Sequence, residues 1–299
     1  MTNATAFLYG FSAYGKHSLP DNAFCLALAD HVLSHCLGPA VQAHVNPVWT
    51  RRPDGPGRVF DQFLATGAYE DVRYKDHVPE LRAGTYTPLT GLHLQRDLDG
   101  FLRGVAGTAA HVLLVLLVHA SYKVLPRGSG FAHDFICQDE SGQLFTLLEL
   151  VGWIGQHPCA PAKLTIIGDI CLKKSLPGTL PLPAWRAKTS HAQQLLPPRP
   201  EFQWQVVNMC PLGRTTVGHM ARRFWDQVRV SKQRSLAAIL VQTNAGVDAD
   251  DDVYEGERMT VFDQTLAPVP ALLFDVELPC YRGPLPPEYL ADTAMDICG

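Results

Sequence analysis

Several features that would place this chain quickly are missing from it. No uninterrupted apolar run exceeds seven residues, as in Val112 to Val118, against the roughly 20 needed to cross a bilayer. No membrane span is expected. The opening MTNATAFLYGF lacks both a basic stretch and a long apolar segment, so it does not read as a secretory signal, and a cytoplasmic, reducing setting is the expectation. A formal net charge of -4 over 299 residues gives no excess of positive charge, and the electrostatic footprint for nucleic acid or an anionic membrane is absent with it. The eight cysteines, at positions 25, 36, 137, 159, 171, 210, 280 and 298, include no CxxC pair, which argues against a zinc module or a disulfide framework. Neither GxGxxG nor GxxxxGK followed by Ser or Thr occurs after a strand-like run, which argues against a nucleotide-binding α/β protein.

What is present is a globular composition, 46% hydrophobic and 18% charged, long enough for one large α/β domain or two modest ones. Two short apolar runs each end on a reactive side chain: HVLLVLLVHA carries His119, and KLTIIGDIC carries Cys171. Central strands of a parallel sheet, buried on both faces, read as such continuous runs. If both belong to one sheet, their ends emerge together at its carboxyl edge, where open α/β folds build their sites. That placement makes a Cys/His nucleophile and base pair the leading functional reading.

Along the chain, ATAFLYGF reads as a strand and AFCLALADHVLSHCLG as a helix with a Gly stop, followed by VQAHV as a second strand. Residues 46–96, rich in Pro, Gly, Arg and Asp, read as an insertion with one short helix at Val59 to Ala65. DLDGFLRGV then suits an amphipathic helix feeding the strand His111 to His119. Phe131 to Cys137 reads as a short strand or hairpin arm, LFTLLELVGWIG as a helix, and Lys163 to Cys171 as a buried strand. Residues 173–200 hold six prolines and no acidic residue, the composition of a linker or exposed loop. Beyond them EFQWQVVNM reads as a strand, GHMARRFWDQV and SLAAILVQTNAG as helices, and VPALLFDVELP as a last strand. Alternating strands and helices imply a mainly parallel sheet covered on both faces.

This order of elements resembles the caspase-like cysteine peptidases, the clan of caspases, metacaspases and paracaspases. The resemblance rests on a strand ending in His119, a strand ending in Asp169-Ile170-Cys171 after 52 residues, a Pro-rich linker, and a smaller strand and helix unit. It covers roughly residues 4 to 280, leaving out the insertion. A caspase has Gly after the His and Gln-Ala-Cys-Arg-Gly around the Cys. The matching positions read His119-Ala120 and Asp169-Ile170-Cys171-Leu172-Lys173. Metacaspases and paracaspases carry an Asp two residues before the Cys, as DICLKK does.

The resemblance implies a three-layer α/β fold with a large unit (1–172), a linker (173–200) and a small unit (201–299). It implies peptide-bond hydrolysis with Cys171 as nucleophile and His119 as base, and an oxyanion received by the backbone N–H groups of Ala120 and Cys171. Asp169 would select Arg or Lys at P1, because a carboxylate in a partly dry pocket pairs with a cation and rejects an anion. The linker carries Lys173, Lys174, Arg186 and Lys188, so any self-cleavage there follows a basic or neutral residue. Cys210 and Arg214 fall where a substrate groove would be lined, with Lys16 and His17 placed similarly. His111, at the start of its strand, belongs to the opposite edge.

The partner implied is a protein or peptide substrate, with a second copy of the chain at the edge near VPALLFDVELP. No cofactor is expected. The acidic stretch DADDDVYEGE invites a calcium reading, as some metacaspases need that ion, but it lacks EF-hand spacing and reads as a solvated loop. The degenerate flanks Ala120 and Leu172-Lys173 support a rival: an inactive pseudoprotease of the same fold that binds partner proteins.

Overall fold

The computed structural model describes residues 4–11, 13–14, 17–18, 20–44, 89–107, 110–127, 130–139, 141–170, 201–210, 219–248 and 258–283. The apolar runs bury their backbone and so must pair it in a sheet. ATAFLYG, buried at every position, forms β1 (Ala4–Gly10). A small antiparallel pair, β2 (Ala13–Tyr14) and β3 (His17–Ser18), comes after it. Helix α1 (Pro20–Leu37) ends at Gly38, whose φ of 60° is easily adopted without a Cβ, and the chain turns into β4 (Val41–His44).

Helix α2 spans Gly91–Gly104, beginning six residues ahead of the expected DLDGFLRGV helix. Thr90 sets that start: its hydroxyl accepts from His93 N at 3.4 Å, while His93 Nδ1 accepts from Thr90 N at 3.2 Å. The end of the expected insertion is therefore ordered helix, and the Val59 to Ala65 helix lies outside the described residues.

The next strand, β5, runs from His111 to Arg127 rather than stopping at His119. It changes partners midway. Up to Val118, which pairs with Ile170, it lies parallel to β8 (Lys163–Ile170); from His119, which pairs with Gln138, it forms an antiparallel arm with β6 (Gly130–Gln138). The LFT expected to open a helix is instead β7 (Leu144–Thr146), paired with β6. Helix α3 (Leu147–Gln156) starts only after Thr146, whose hydroxyl accepts from Glu149 N while Glu149 accepts from Thr146 N, a capping box.

The remaining elements are β9 (Gln203–Asn208), α4 (His219–Val230), α5 (Leu236–Asp248), β10 (Thr260–Phe262) and β11 (Pro268–Val269). The central sheet has the order β11-β10-β9-β8-β5-β1-β4. From β9 to β4 it is parallel; β10 and β11 are antiparallel additions at one end.

VPALLFDVELP is not the long last strand expected of it, because only its first residue, Val269, lies in β11. The carboxamide of buried Gln205 captures the chain after β11: Oε1 accepts from Leu273 N at 2.8 Å, and Nε2 donates to Phe274 O at 2.8 Å and to Thr165 Oγ1 at 3.1 Å. A side chain thus takes the place of a neighbouring strand. The segment continues as a strap, with Leu236 N donating to Val276 O and Leu278 N to Arg234 O.

Alternation along the strands divides the core in two. One face of the sheet, through Leu113, Val115, Leu117, Ile167 and Val207, packs on α1, α4, α5 and the strap. The other, through Leu114, Leu116, Val118, Ile166 and Ile170, packs on α2 and α3. The fold is a three-layer α/β structure with a mainly parallel sheet.

Candidate active site at the carboxyl edge

Parallel register brings β1, β5, β8 and β9 to one edge. Gly10 and Asp169 both pair with Leu117, and Met209 N donates to Gly168 O at 2.8 Å. Phe11 N donates to Leu117 O at 3.0 Å, continuing the β1 side of that row. Gly10 leaves room there for α1: a Cβ would lie 2.9 Å from Leu26 Cδ2.

His119 stands two residues past Leu117, so alternation puts it on the face covered by α1, α4 and α5. Asp169, the partner of Leu117, shares that face and is only 4% exposed. His119 is half-buried, and burial lowers its pKa below the usual 6.5. Its imidazole is therefore neutral at neutral pH, the form that can accept a proton. Ser121, one alternation further, is buried, and its hydroxyl has no hydrogen-bond partner among the described residues.

Ala120 and Cys210 belong to the opposite face. Ala120 packs in the α2 and α3 layer and pairs with Cys137 in the β5/β6 arm. Cys210, fully buried in the same layer, donates its thiol to Ile170 O at 3.3 Å. The structure therefore brings His119 and Asp169 to one face and sets the Cys210 side chain on the other. Cys171 follows Ile170 directly in the chain and lies outside the described residues, as do Arg214, Lys16, the linker 173–200 and residues 249–257 of the acidic stretch. His17 lies in β3.

His111 is at the far end of the sheet, paired with Ala4 and Lys163. Its Nε2 lies 3.0 Å from Thr165 Oγ1, and burial with the nearby Lys163 charge lowers its pKa to about 4.

Sequence reasoning passed over Asn208 and Gly168. Asn208 is fully buried at the end of β9, and its carboxamide bonds both the N–H and the C=O of Ile170. The one signal in the sequence was Gly168, a glycine inside an otherwise bulky strand, which marks a close approach by a neighbour.

Among the described residues no group of three His, Cys, Asp or Glu side chains could hold a metal ion, and no helix is long and apolar enough to cross a membrane.

Comparison with known proteins adds only distant structural likeness. No family model matches the chain, and no curated protein matches it in sequence. Among solved structures it is similar to caspase-1 from Spodoptera frugiperda, with 9% identity over 89% of this chain and 90% of that one and a TM-score of 0.48. A second similar structure, pro-sf-caspase-1, gives 10% identity over 88% and 91%, with a TM-score of 0.44.

Proposed function

We propose that the chain is a caspase-like cysteine endopeptidase of the cytoplasm, acting without a cofactor on protein or peptide substrates after Arg or Lys. The observation that carries this reading is the placement of His119 and Asp169 on one face of adjacent central strands at the carboxyl edge, with Cys171 two residues after Asp169.

In the reaction, His119 takes the proton of the Cys171 thiol and the sulfur attacks the scissile carbonyl carbon. The oxyanion is received by the backbone N–H groups of Ala120 and Cys171. As the C–N bond breaks, His119 gives its proton to the leaving amine, leaving an acyl-enzyme; water, deprotonated by His119, then releases the acid. Burial of His119 supports this role, because it disfavours the imidazolium before substrate arrives. Asp169 pairs with the P1 cation, and Arg214 lines the groove. Cys210 contributes through the Ile170 carbonyl that it bonds. Residues 1–172 and 201–299 act as a large and a small unit sharing the sheet, with residues 173–200 as the linker, and the sheet edge near VPALLFDVELP pairs with a second copy.

A second reading, an inactive pseudoprotease that binds proteins, draws support from the residues flanking the pair: Ala120 where the family has Gly, and Leu172-Lys173 after the Cys. The two readings separate on a fluorogenic peptide carrying Arg at P1. The peptidase reading predicts turnover that Cys171→Ala abolishes; absence of turnover in folded wild-type protein, with retained peptide binding, favours the pseudoprotease.

A further inference from the structure

The β8/β9 ladder stops at Gly168, the partner of Asn208, two residues before β8 itself ends. Beyond that point Ile170 has a strand neighbour on only one side, where it pairs with Val118. On the other side the Asn208 carboxamide stands in for backbone. Its Oδ1 accepts from Ile170 N at 3.1 Å, and its Nδ2 donates to Ile170 O at 3.0 Å and to Cys210 O at 3.0 Å. Cys210 Sγ adds a bond to the same Ile170 oxygen at 3.3 Å.

Gly168 makes the arrangement fit. A Cβ there would lie 2.9 Å from Asn208 Oδ1 and 2.7 Å from Ile170 Cδ1, so any larger residue displaces the carboxamide or the Ile170 side chain. Asn is the right length and chemistry, offering one acceptor and two donors from a short stem. Asp loses the donors and turns a carboxylate oxygen toward the Ile170 carbonyl, and Ala leaves both Ile170 groups without this partner.

Strand ends fray where ladder bonds run out. The clamp acts at such an end, on the last residue of a central strand, and it holds backbone rather than core packing. We propose that Asn208 is a positioning residue: its carboxamide fixes the backbone of Ile170, and so the direction in which the chain leaves β8 toward the proposed nucleophile. This inference rests on the peptidase reading. Misplacement of a reacting group by about 1 Å can cost on the order of 100-fold in rate, which is the scale on which such a clamp matters.

The test uses the full chain with Asn208→Ala, Asn208→Asp and Gly168→Ala, each compared well below its own melting temperature. Two quantities are read: the pH midpoint for alkylation of Cys171 by iodoacetamide, followed by peptide mass spectrometry, and kcat and KM on an Arg-P1 peptide. All three variants are expected to lower kcat roughly 10- to 100-fold with KM little changed, and to move the alkylation midpoint up toward that of an ordinary thiol. Gly168→Ala combined with Asn208→Ala should cost less than the sum of the two single changes, since both act on one clamp. Folded variants with the wild-type midpoint and kcat overturn the inference while leaving the peptidase reading intact. A wild-type protein whose cleavage survives Cys171→Ala overturns the peptidase reading, and this inference with it.

Discussion

Asp169 is the register partner of Leu117 in the β5/β8 ladder, and His119 follows Leu117 by one alternation. A carboxylate and an imidazole thus reach the same face of the sheet from neighbouring strands. If Asp169 reads a P1 cation, Asp169→Asn should lower kcat/KM for Arg-P1 peptides by roughly 10- to 100-fold, the worth of a charged hydrogen bond. Peptides with Gln at P1 should be cut nearly as before. An Arg-to-Gln preference equal in wild type and variant removes Asp169 from the pocket.

Two buried histidines make stability depend on pH. Burial, with the charges of His35 and Arg229, lowers the His31 pKa to about 3, and its Nε2 lies 2.8 Å from Tyr281 Oη; His111 is lowered to about 4. Both stay neutral in the fold at pH values where the unfolded chain, with ordinary pKa near 6.5, takes up protons. Stability is therefore full above about pH 6.5 and falls as pH drops toward the folded values, by up to about 1.4 kcal/mol per pH unit for each histidine. Urea midpoints between pH 7 and 5.5 should fall in this way, above the range where Asp99 and Asp263, both with lowered pKa, begin to contribute. His31→Gln should reduce the slope by about one proton; an unchanged slope contradicts the account.

At the start of the strap the backbone of Leu273 and Phe274 is bonded by one carboxamide, that of Gln205. Gln205→Ala removes its bonds to Leu273 N, Phe274 O and Thr165 Oγ1, and should cost about 1–3 kcal/mol. Amide exchange at Leu273 should accelerate more than exchange in β8. Equal protection in the variant would show that the strap does not depend on the Gln205 carboxamide.

The central strands were legible because Val112 to Val118 is a continuous apolar run and Leu164 to Ile170 is a β-branched, mostly apolar stretch, patterns that a twice-covered strand buries. From them came the expectation that His119 and Cys171 emerge at one edge, while Asp169 entered only with the family resemblance. The arm of β5 past His119 was hidden by Ser121, Lys123 and Pro126, residues that read as a loop until β6 folds back to pair with them. The start of α2 was hidden because His93 fills the place usually held by Glu or Gln in a capping box. β10, at three residues, carries too little periodicity to register. Asn208 was out of reach for a different reason: its role depends on where the β8/β9 register ends, which no local pattern encodes.

The most direct test of the central claim is cleavage of an Arg-P1 peptide library by purified wild-type protein beside Cys171→Ala and His119→Ala, with folding checked by circular dichroism. The account predicts cleavage after Arg or Lys by the wild type, and loss of at least about 1,000-fold in both variants. Cleavage that persists in folded Cys171→Ala would contradict it.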